Sequence, residues 1–356
     1  MARKSINVGG VRVGGGAPVV IESMTTTKTS NIADTVAQIK SLTDLGCDII
    51  RVAVPDKSSA YAIEEIKKQI SIPLIADIHF DYKLALLSAQ AGADKIRINP
   101  GNIGGEENVS QVARLCAKKD IPIRVGVNGG SISQDILAKY NGLTPDALYE
   151  SALGHIRLLN KFDFDDICIS VKTSSVPLTV AAYKVVYEKT DYPLHVGVTE
   201  AGTEYNGIIK SSVGIGALLL DGIGDTIRVS LTAAPEQEII AAVAILKALG
   251  HRQGFDLISC PTCGRTNIDL MQIAAQVEQR LKEIEQRNKP IDKTISVAVM
   301  GCVVNGPGEA SRADYGIAGG HGNGVIFKKG EVVSKLPMEG LLDGLMNAII
   351  DGEGFV

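Results

Sequence analysis

The chain has 356 residues with 36 Lys or Arg against 40 Asp or Glu, a formal charge of −4, and its 45% hydrophobic and 21% charged residues are the balance of a folded globular protein, not a disordered one. Six cysteines are too few for a disulfide scaffold. No apolar run reaches the ~18 residues that span a bilayer, and a slightly acidic chain without a basic block argues against a nucleic-acid surface.

The N-terminal residues are basic but no apolar stretch follows them, so a secretory signal is not expected and the chain reads as cytoplasmic, without a membrane partner. Residues 6–13 read as a small hairpin turning on Gly9-Gly10. Eight short β-branched runs follow, at 19–23, 48–52, 74–77, 95–99, 123–127, 167–171, 194–198 and 226–230. Amphipathic segments follow them at 35–45, 60–69, 83–91, 109–118, 145–159, 176–188, 205–219 and 234–248. Alternating strands and helices imply a parallel sheet with right-handed crossovers. Eight units in this length imply an α/β fold closed as a (β/α)8 TIM barrel.

After a linker at 251–254 the texture changes. Strands at 255–260 and 295–300 flank a long helix at 268–286. A glycine-rich stretch at 301–324, a hairpin around Lys329-Gly330 and a helix at 338–350 complete an α+β domain. The expected division is residues 1–250, a substrate-binding barrel, and 255–356, a smaller domain.

That smaller domain carries the strongest chemical signal. Cys260-Pro-Thr-Cys263 lies just past a strand, and Cys302 lies in Met300-Gly-Cys-Val-Val-Asn-Gly-Pro-Gly-Glu309. Turns rich in Gly and Pro aim several side chains and backbone N–H groups at one point, as a metal or iron–sulfur site requires. A structural zinc site wants four N or S ligands, and neither a fourth cysteine nor a histidine near Cys302 is present. Three cysteines and Glu309 suit a [4Fe–4S] cluster with one iron on an exchangeable oxygen ligand. A zinc knuckle or redox dithiol at Cys260 and Cys263, and a plain helix-first-turn role for Glu309, remain open at this point. Cys47, Cys116 and Cys168 lie in or beside apolar elements and read as buried small hydrophobes.

The barrel carries a second signal. Arg51, Arg97, Arg124, Lys172 and Arg228 sit at or near the C-terminal ends of strands, which form the barrel mouth where active sites lie. Five converging cations repel one another unless an anion neutralises them, and arginine suits phosphate. The implied substrate carries phosphates. The bland alternative is that each cation pairs with a local acid such as Asp77 or Glu200. Asp77, His79, Asn99, Asn128, Thr199, Glu200 and Ser230 extend the set. Glu200 is the candidate general acid, with a counter-ion role as its alternative. His195, inside a strand, reads as a core histidine.

Topology adds a constraint. The last barrel helix, ~15 residues and ~22 Å long, returns to the end opposite the mouth, so the second domain begins far from its own barrel's site. A head-to-tail homodimer is expected.

Cys-Pro-Thr-Cys-Gly-Arg at 260–265, the 300–309 segment, Ala-Asp-Ile-His-Phe at 76–80 and Ile-Arg-Ile-Asn-Pro-Gly-Asn at 96–102 resemble the 4-hydroxy-3-methylbut-2-enyl diphosphate synthase family of the non-mevalonate isoprenoid pathway. The resemblance covers essentially the whole chain and is to the bacterial form. It implies reductive ring opening and dehydration of 2-C-methyl-D-erythritol 2,4-cyclodiphosphate to the linear allylic diphosphate, with two electrons passed singly through a [4Fe–4S] cluster. It further implies Cys260, Cys263, Cys302 and Glu309 as cluster ligands. Arg51, Arg97, Arg124, Asn128, Lys172, Thr199, Arg228 and Ser230 would hold the diphosphate, Glu200 would move protons, and ferredoxin or flavodoxin would donate electrons. The competing class is a zinc-stabilised barrel lyase or transferase acting on a phosphorylated small molecule.

Overall fold

The structure is a computed structural model that describes residues 3–99, 102–264, 266, 268–288, 290–302, 312–320 and 322–356. The chain divides into two compact units, Met1–Leu249 and Gly250–Val356.

The first unit opens on a hairpin of β1 (Ser5–Val8) and β2 (Val11–Gly14), turning on Gly9 and Gly10. Both glycines have positive φ, +55° and +95°, as a two-residue hairpin turn of this hand requires. Eight parallel strands follow: β3 (Val20–Met24), β4 (Ile49–Ala53), β5 (Leu74–Asp77), β6 (Lys95–Ile98), β7 (Ile123–Asn128), β8 (Ile167–Lys172), β9 (His195–Val196) and β10 (Thr226–Ile227). Each pairs with the next from β3 to β8, β10 joins β3 to β9, and a bridge between Ile169 and Leu194 closes the ring. The outer helices are α1 (Ile32–Leu45), α2 (Lys57–Lys67), α3 (Tyr82–Gln90), α4 (Glu106–Lys118), a short α5 (Gln134–Lys139), α6 (Pro145–Asn160), α7 (Val176–Lys189), α8 (Glu204–Leu220) and α9 (Pro235–Ala248). Asn31, Asp56, Asp81, Thr144 and Ser175 cap five of them, each side chain accepting a first-turn backbone N–H.

The strands alternate strictly. Ile21, Ile50, Val52, Ile96, Ile98, Val125, Val127, Ile169 and Val171 join the large core under the helices. The other set points into the barrel. Its lowest layer is apolar: Val20, Ile49, Ile75 and Cys168 pack on Ile6, Val8 and Val13 of the hairpin, which plugs the N-terminal end. Barrels are usually filled by branched aliphatic residues throughout. Above the plug this one is mostly polar, with Met24 of β3 beside Arg51.

In the second unit β11 (Gly254–Ser259), α10 (Leu270–Arg287) and β12 (Thr294–Met300) form a parallel crossover, followed by β13 (Tyr315–Gly319), β14 (Asn323–Lys328), β15 (Glu331–Pro337) and α11 (Leu341–Glu353). The sheet order is β11-β12-β13-β14-β15, parallel across the first three strands and antiparallel beyond. Val277, Leu281 and Ile284 of α10 and Leu345, Met346 and Ile349 of α11 bury one sheet face. Among the described residues no helix is long and apolar enough to cross a membrane.

Candidate active site

Glu22, on β3, is the hub of the barrel interior. Its carboxylate lies 2.5 Å from Arg124, 3.4 Å from Lys95, 3.7 Å from Arg51 and 3.8 Å from His195, and its side chain is wholly buried. Burial alone would raise the carboxyl pKa, but the charges of Arg124, His195, Lys95 and Arg51 outweigh it and hold the group well below the usual range. It is an anion under a ring of cations.

Towards the C-terminal ends, Asp77 of β5 accepts from Arg97 Nη1 at 2.9 Å and faces Arg51 Nε at 3.6 Å. Burial opposes the Asp77 charge, yet Arg51, Arg97 and Arg124 pull its pKa down. Burial and the neighbouring Arg228 and Arg124 press the other way on Arg51, down to about 9 against the pull of Asp77 and Glu22, which leaves it charged at neutral pH. Arg228, just past β10, lies with Nε and Nη2 each 3.4 Å from Glu238 of α9. Glu238 also accepts from Ser23 Oγ and the Leu231 N–H, both at 3.0 Å. Lys172, the last residue of β8, is 7% exposed, and its Nζ lies 3.0 Å from His195 Nε2. His195 is a satisfied buried histidine: Nδ1 lies 2.8 Å from Thr226 Oγ1.

These positions correct the reading of five cations awaiting an outside anion. Carboxylates of the protein already face four of them, through Glu22, Asp77 and Glu238, because inward positions on β3 and β5 and the first turn of α9 are acidic. Arg124 is also lower than expected. It is the second residue of β7, which runs on to Asn128, and its side chain is 1% exposed. Positive charge still dominates. Arg51, Lys95, Arg97, Arg124 and Arg228 outnumber the three carboxylates five to three even before Lys172 is counted, so the interior favours an anionic guest.

Asn128, Thr199 and Ser230 are half-buried at the same C-terminal end, following β7, β9 and β10. Thr199 N–H donates to Thr173 O at 3.2 Å, tying the β9 loop to the end of β8. Glu200, next to it, is exposed with φ of +51°, a conformation rarely adopted by a non-glycine residue. Among the described residues it has no ion-pair partner, so it is not a counter-ion to these arginines there.

In the second unit, Cys260 follows β11 and Cys302 follows β12, at the same end of two adjacent parallel strands. Ser259 pairs with Val299, and Cys260 N–H donates to Val299 O at 3.2 Å. Cys263 and Thr266 close the Cys260 loop, Thr266 Oγ1 accepting from Cys263 N–H at 3.1 Å. That loop presses on Gly301, where a Cβ would stand 2.9 Å from Thr266 Cγ2, so a glycine lets the two cysteine-bearing segments meet. No disulfide involves any cysteine. Soft thiols on two touching loops are the donor type that an iron–sulfur cluster takes. Glu309 lies outside the described residues, among which no three His, Cys, Asp or Glu side chains are close enough to hold a metal ion. Cys47, Cys116 and Cys168 are buried, and burial raises their thiol pKa values to about 12, 12 and 11, as inert core thiols.

A family model described as the GcpE TIM-barrel domain matches residues 3–243, and one described as the GcpE protein C-terminal domain matches 256–351. The chain belongs to the GcpE family. A relative from Caldanaerobacter subterraneus subsp. tengcongensis is 56% identical over 347 residues, 97% of this chain and 96% of the relative. One from Clostridium tetani is 56% identical over 345 residues, 97% of each chain. Both are named 4-hydroxy-3-methylbut-2-en-1-yl diphosphate synthase (flavodoxin). Among solved structures, a dihydropteroate synthase from Xanthomonas albilineans matches at a TM-score of 0.49 and 15% identity, covering 69% of this chain and 98% of that one.

Three members of the site in this GcpE-family chain escaped the sequence reading: Glu22, Lys95 and Glu238. The first two had a signal, a charged residue at an inward position of a strand. Glu238 had none, since an acid in a helix first turn is ordinary.

Proposed function

We propose that the protein is a reductase of the GcpE family that opens the ring of 2-C-methyl-D-erythritol 2,4-cyclodiphosphate and expels water to give (E)-4-hydroxy-3-methylbut-2-enyl diphosphate, working in the cytoplasm with flavodoxin as electron donor. The observation that carries this reading is 56% identity along 97% of the chain to a relative so named. The excess of buried cations in the barrel supports it, because the substrate is a dianion. Conversion of that dianion to a trianionic product and water takes two electrons and one proton.

Arg51, Arg97, Lys172 and Arg228, with Asn128, Thr199 and Ser230, hold the two phosphates. Arg124 adds its charge from the layer beneath, pinned by Glu22. Asp77 and Glu238 fix the guanidiniums so that little side-chain order is lost on binding. Glu200, exposed at the rim, supplies the proton that leaves with water. Cys260, Cys263, Cys302 and Glu309 hold a [4Fe–4S] cluster, which supplies electrons one at a time when bound. The working unit is a head-to-tail homodimer.

Anaerobically purified protein is expected to carry about four iron and four sulfide per chain and to convert the cyclodiphosphate with reduced flavodoxin. Cys302→Ala is expected to lose both iron and turnover. One zinc per chain without sulfide overturns the reading. Mixing Cys302→Ala and Arg228→Ala chains is expected to restore part of the activity, and heterodimers that form without restoring any would remove the shared site.

A further inference from the structure

Among the buried cations of the barrel, Lys172 stands apart. Arg51, Lys95, Arg97, Arg124 and Arg228 each have a carboxylate oxygen at 3.6 Å or closer. Among the described residues Lys172 has no carboxylate within ion-pair distance, and the polar contact of its Nζ is His195 Nε2, at 3.0 Å. For Nε2 to accept from the lysine, the imidazole proton must sit on Nδ1, where Thr226 Oγ1 receives it at 2.8 Å. The contact therefore requires a neutral imidazole. An imidazolium would have no lone pair to offer.

The surroundings favour an uncharged amine on Lys172. Lys172 is influenced by Glu22 from β3, Arg51 from β4, Arg124 from β7, His195 from β9 and Arg228 from beyond β10. Glu22 is the sole carboxylate of that group, and Arg124, Lys95 and Arg51 already draw on it. Burial first, then the three guanidiniums, push the amine well below the usual lysine range, and burial does the same to the imidazole.

A bound diphosphate reverses this balance, because its charge offsets the guanidiniums that oppose an ammonium. We propose that Lys172 is an uncharged amine in the ligand-free barrel and takes up one proton from solvent as the cyclic diphosphate binds. The inference rests on the barrel being the diphosphate site. The ligand contributes nothing to the proton count. Each phosphorus of the ring carries a single ionised oxygen and has no ionisation near neutrality, so proton uptake reports on the protein.

The test is isothermal titration calorimetry of the full-length, anaerobically purified protein without reductant. The probe is 2-C-methyl-D-erythritol 2,4-cyclodiphosphate, titrated in two buffers of different ionisation enthalpy. Work at about pH 8 keeps ordinary histidines neutral. The wild type is expected to take up about one proton per ligand bound, the full linkage of a single group. Lys172→Arg, which carries its charge permanently, is expected to bind without uptake. Lys172→Met is expected to bind more weakly, also without uptake. Wild-type binding with equal heats in both buffers overturns the inference and leaves the diphosphate site standing. Undiminished uptake in both variants overturns it too, by assigning the proton elsewhere. Absence of wild-type binding overturns the diphosphate-site reading and this inference together.

Discussion

Glu22 holds Arg124 through one guanidinium nitrogen: Nη1 donates to both carboxylate oxygens, at 2.5 and 2.7 Å, and neither side chain is more than 1% exposed. The pair sits above the apolar plug and below the mouth. Two charges so deeply buried are weak evidence of net stability on their own, since desolvation opposes their attraction. Their consequence is geometric. The anion of Glu22 offsets the burial that opposes a charge on Arg124, Lys95 and Arg51, and that charge is what the interior offers to a guest.

Glu22→Gln keeps the shape and removes the charge, leaving three cations around an amide. Breaking a buried pair from one side costs roughly 3–5 kcal/mol. Urea unfolding of the variant should show a loss of that order in the barrel unit. A loss under about 1 kcal/mol would mean that water reaches the cluster and screens it like a surface pair.

The pH dependence follows from the same groups. His195 has a pKa pushed below its ordinary 6.5, so the fold holds it neutral while the unfolded chain protonates it, and stability falls as pH drops below 6.5. Glu22 and Asp77 have pKa values pushed below the ordinary 4.5 and 3.8. Their contribution is complete above those values and is lost as pH falls through the folded ones. Urea midpoints across the acid range should therefore decline gently at first and steeply below 4.5, with each group adding at most about 1.4 kcal/mol per pH unit. In Glu22→Gln the steep limb should become shallower. An unchanged limb would show that other carboxylates govern acid unfolding.

Much of this architecture was legible in the chain. The eight strands and their helices follow from alternation, and most boundaries agree within a few residues, because the outward face of the strands is largely aliphatic, as at Ile50, Val52, Ile96 and Ile98. The strand β13 was missed. Tyr315-Gly-Ile-Ala-Gly lies in a glycine-rich stretch that reads as loop, yet its glycines are packing devices: a Cβ on Gly316 would stand 2.2 Å from Phe327 Cζ, and one on Gly319 2.4 Å from Ile268 Cδ1. The cations of the barrel were legible and their partners were not. Spacing shows that a side chain points inward but not which acid from another strand or helix meets it, and the contact between Arg228 and Ser23's partner Glu238 depends on the closed ring.

Arg228 separates binding from stability. Its side chain is 18% exposed, and its Glu238 partner keeps two other donors, Ser23 Oγ and the Leu231 N–H, if the arginine is removed. Arg228→Ala should therefore unfold at nearly the wild-type temperature. Its kcat/KM with the cyclodiphosphate should fall by about 30- to 4000-fold, the equivalent of the 2–5 kcal/mol that a truncated, desolvated charge contact costs. A variant that loses stability instead of activity would place Arg228 among the structural residues.

Glu200 tests the proton step. Its backbone, at φ of +51°, is held by the loop around it, where Thr199 N–H donates to Thr173 O at 3.2 Å and Thr232 N–H to Gly202 O at 2.9 Å. These contacts involve only backbone atoms, so Glu200→Gln should leave them intact and change stability by no more than about 0.5 kcal/mol. The variant keeps size and polarity but carries no transferable proton. If Glu200 delivers the proton that leaves with water, turnover with reduced flavodoxin should fall by roughly 10²- to 10⁴-fold, while binding of the cyclodiphosphate changes little. Turnover within about tenfold of wild type, below the usual range for a lost general acid, would move the proton source away from Glu200.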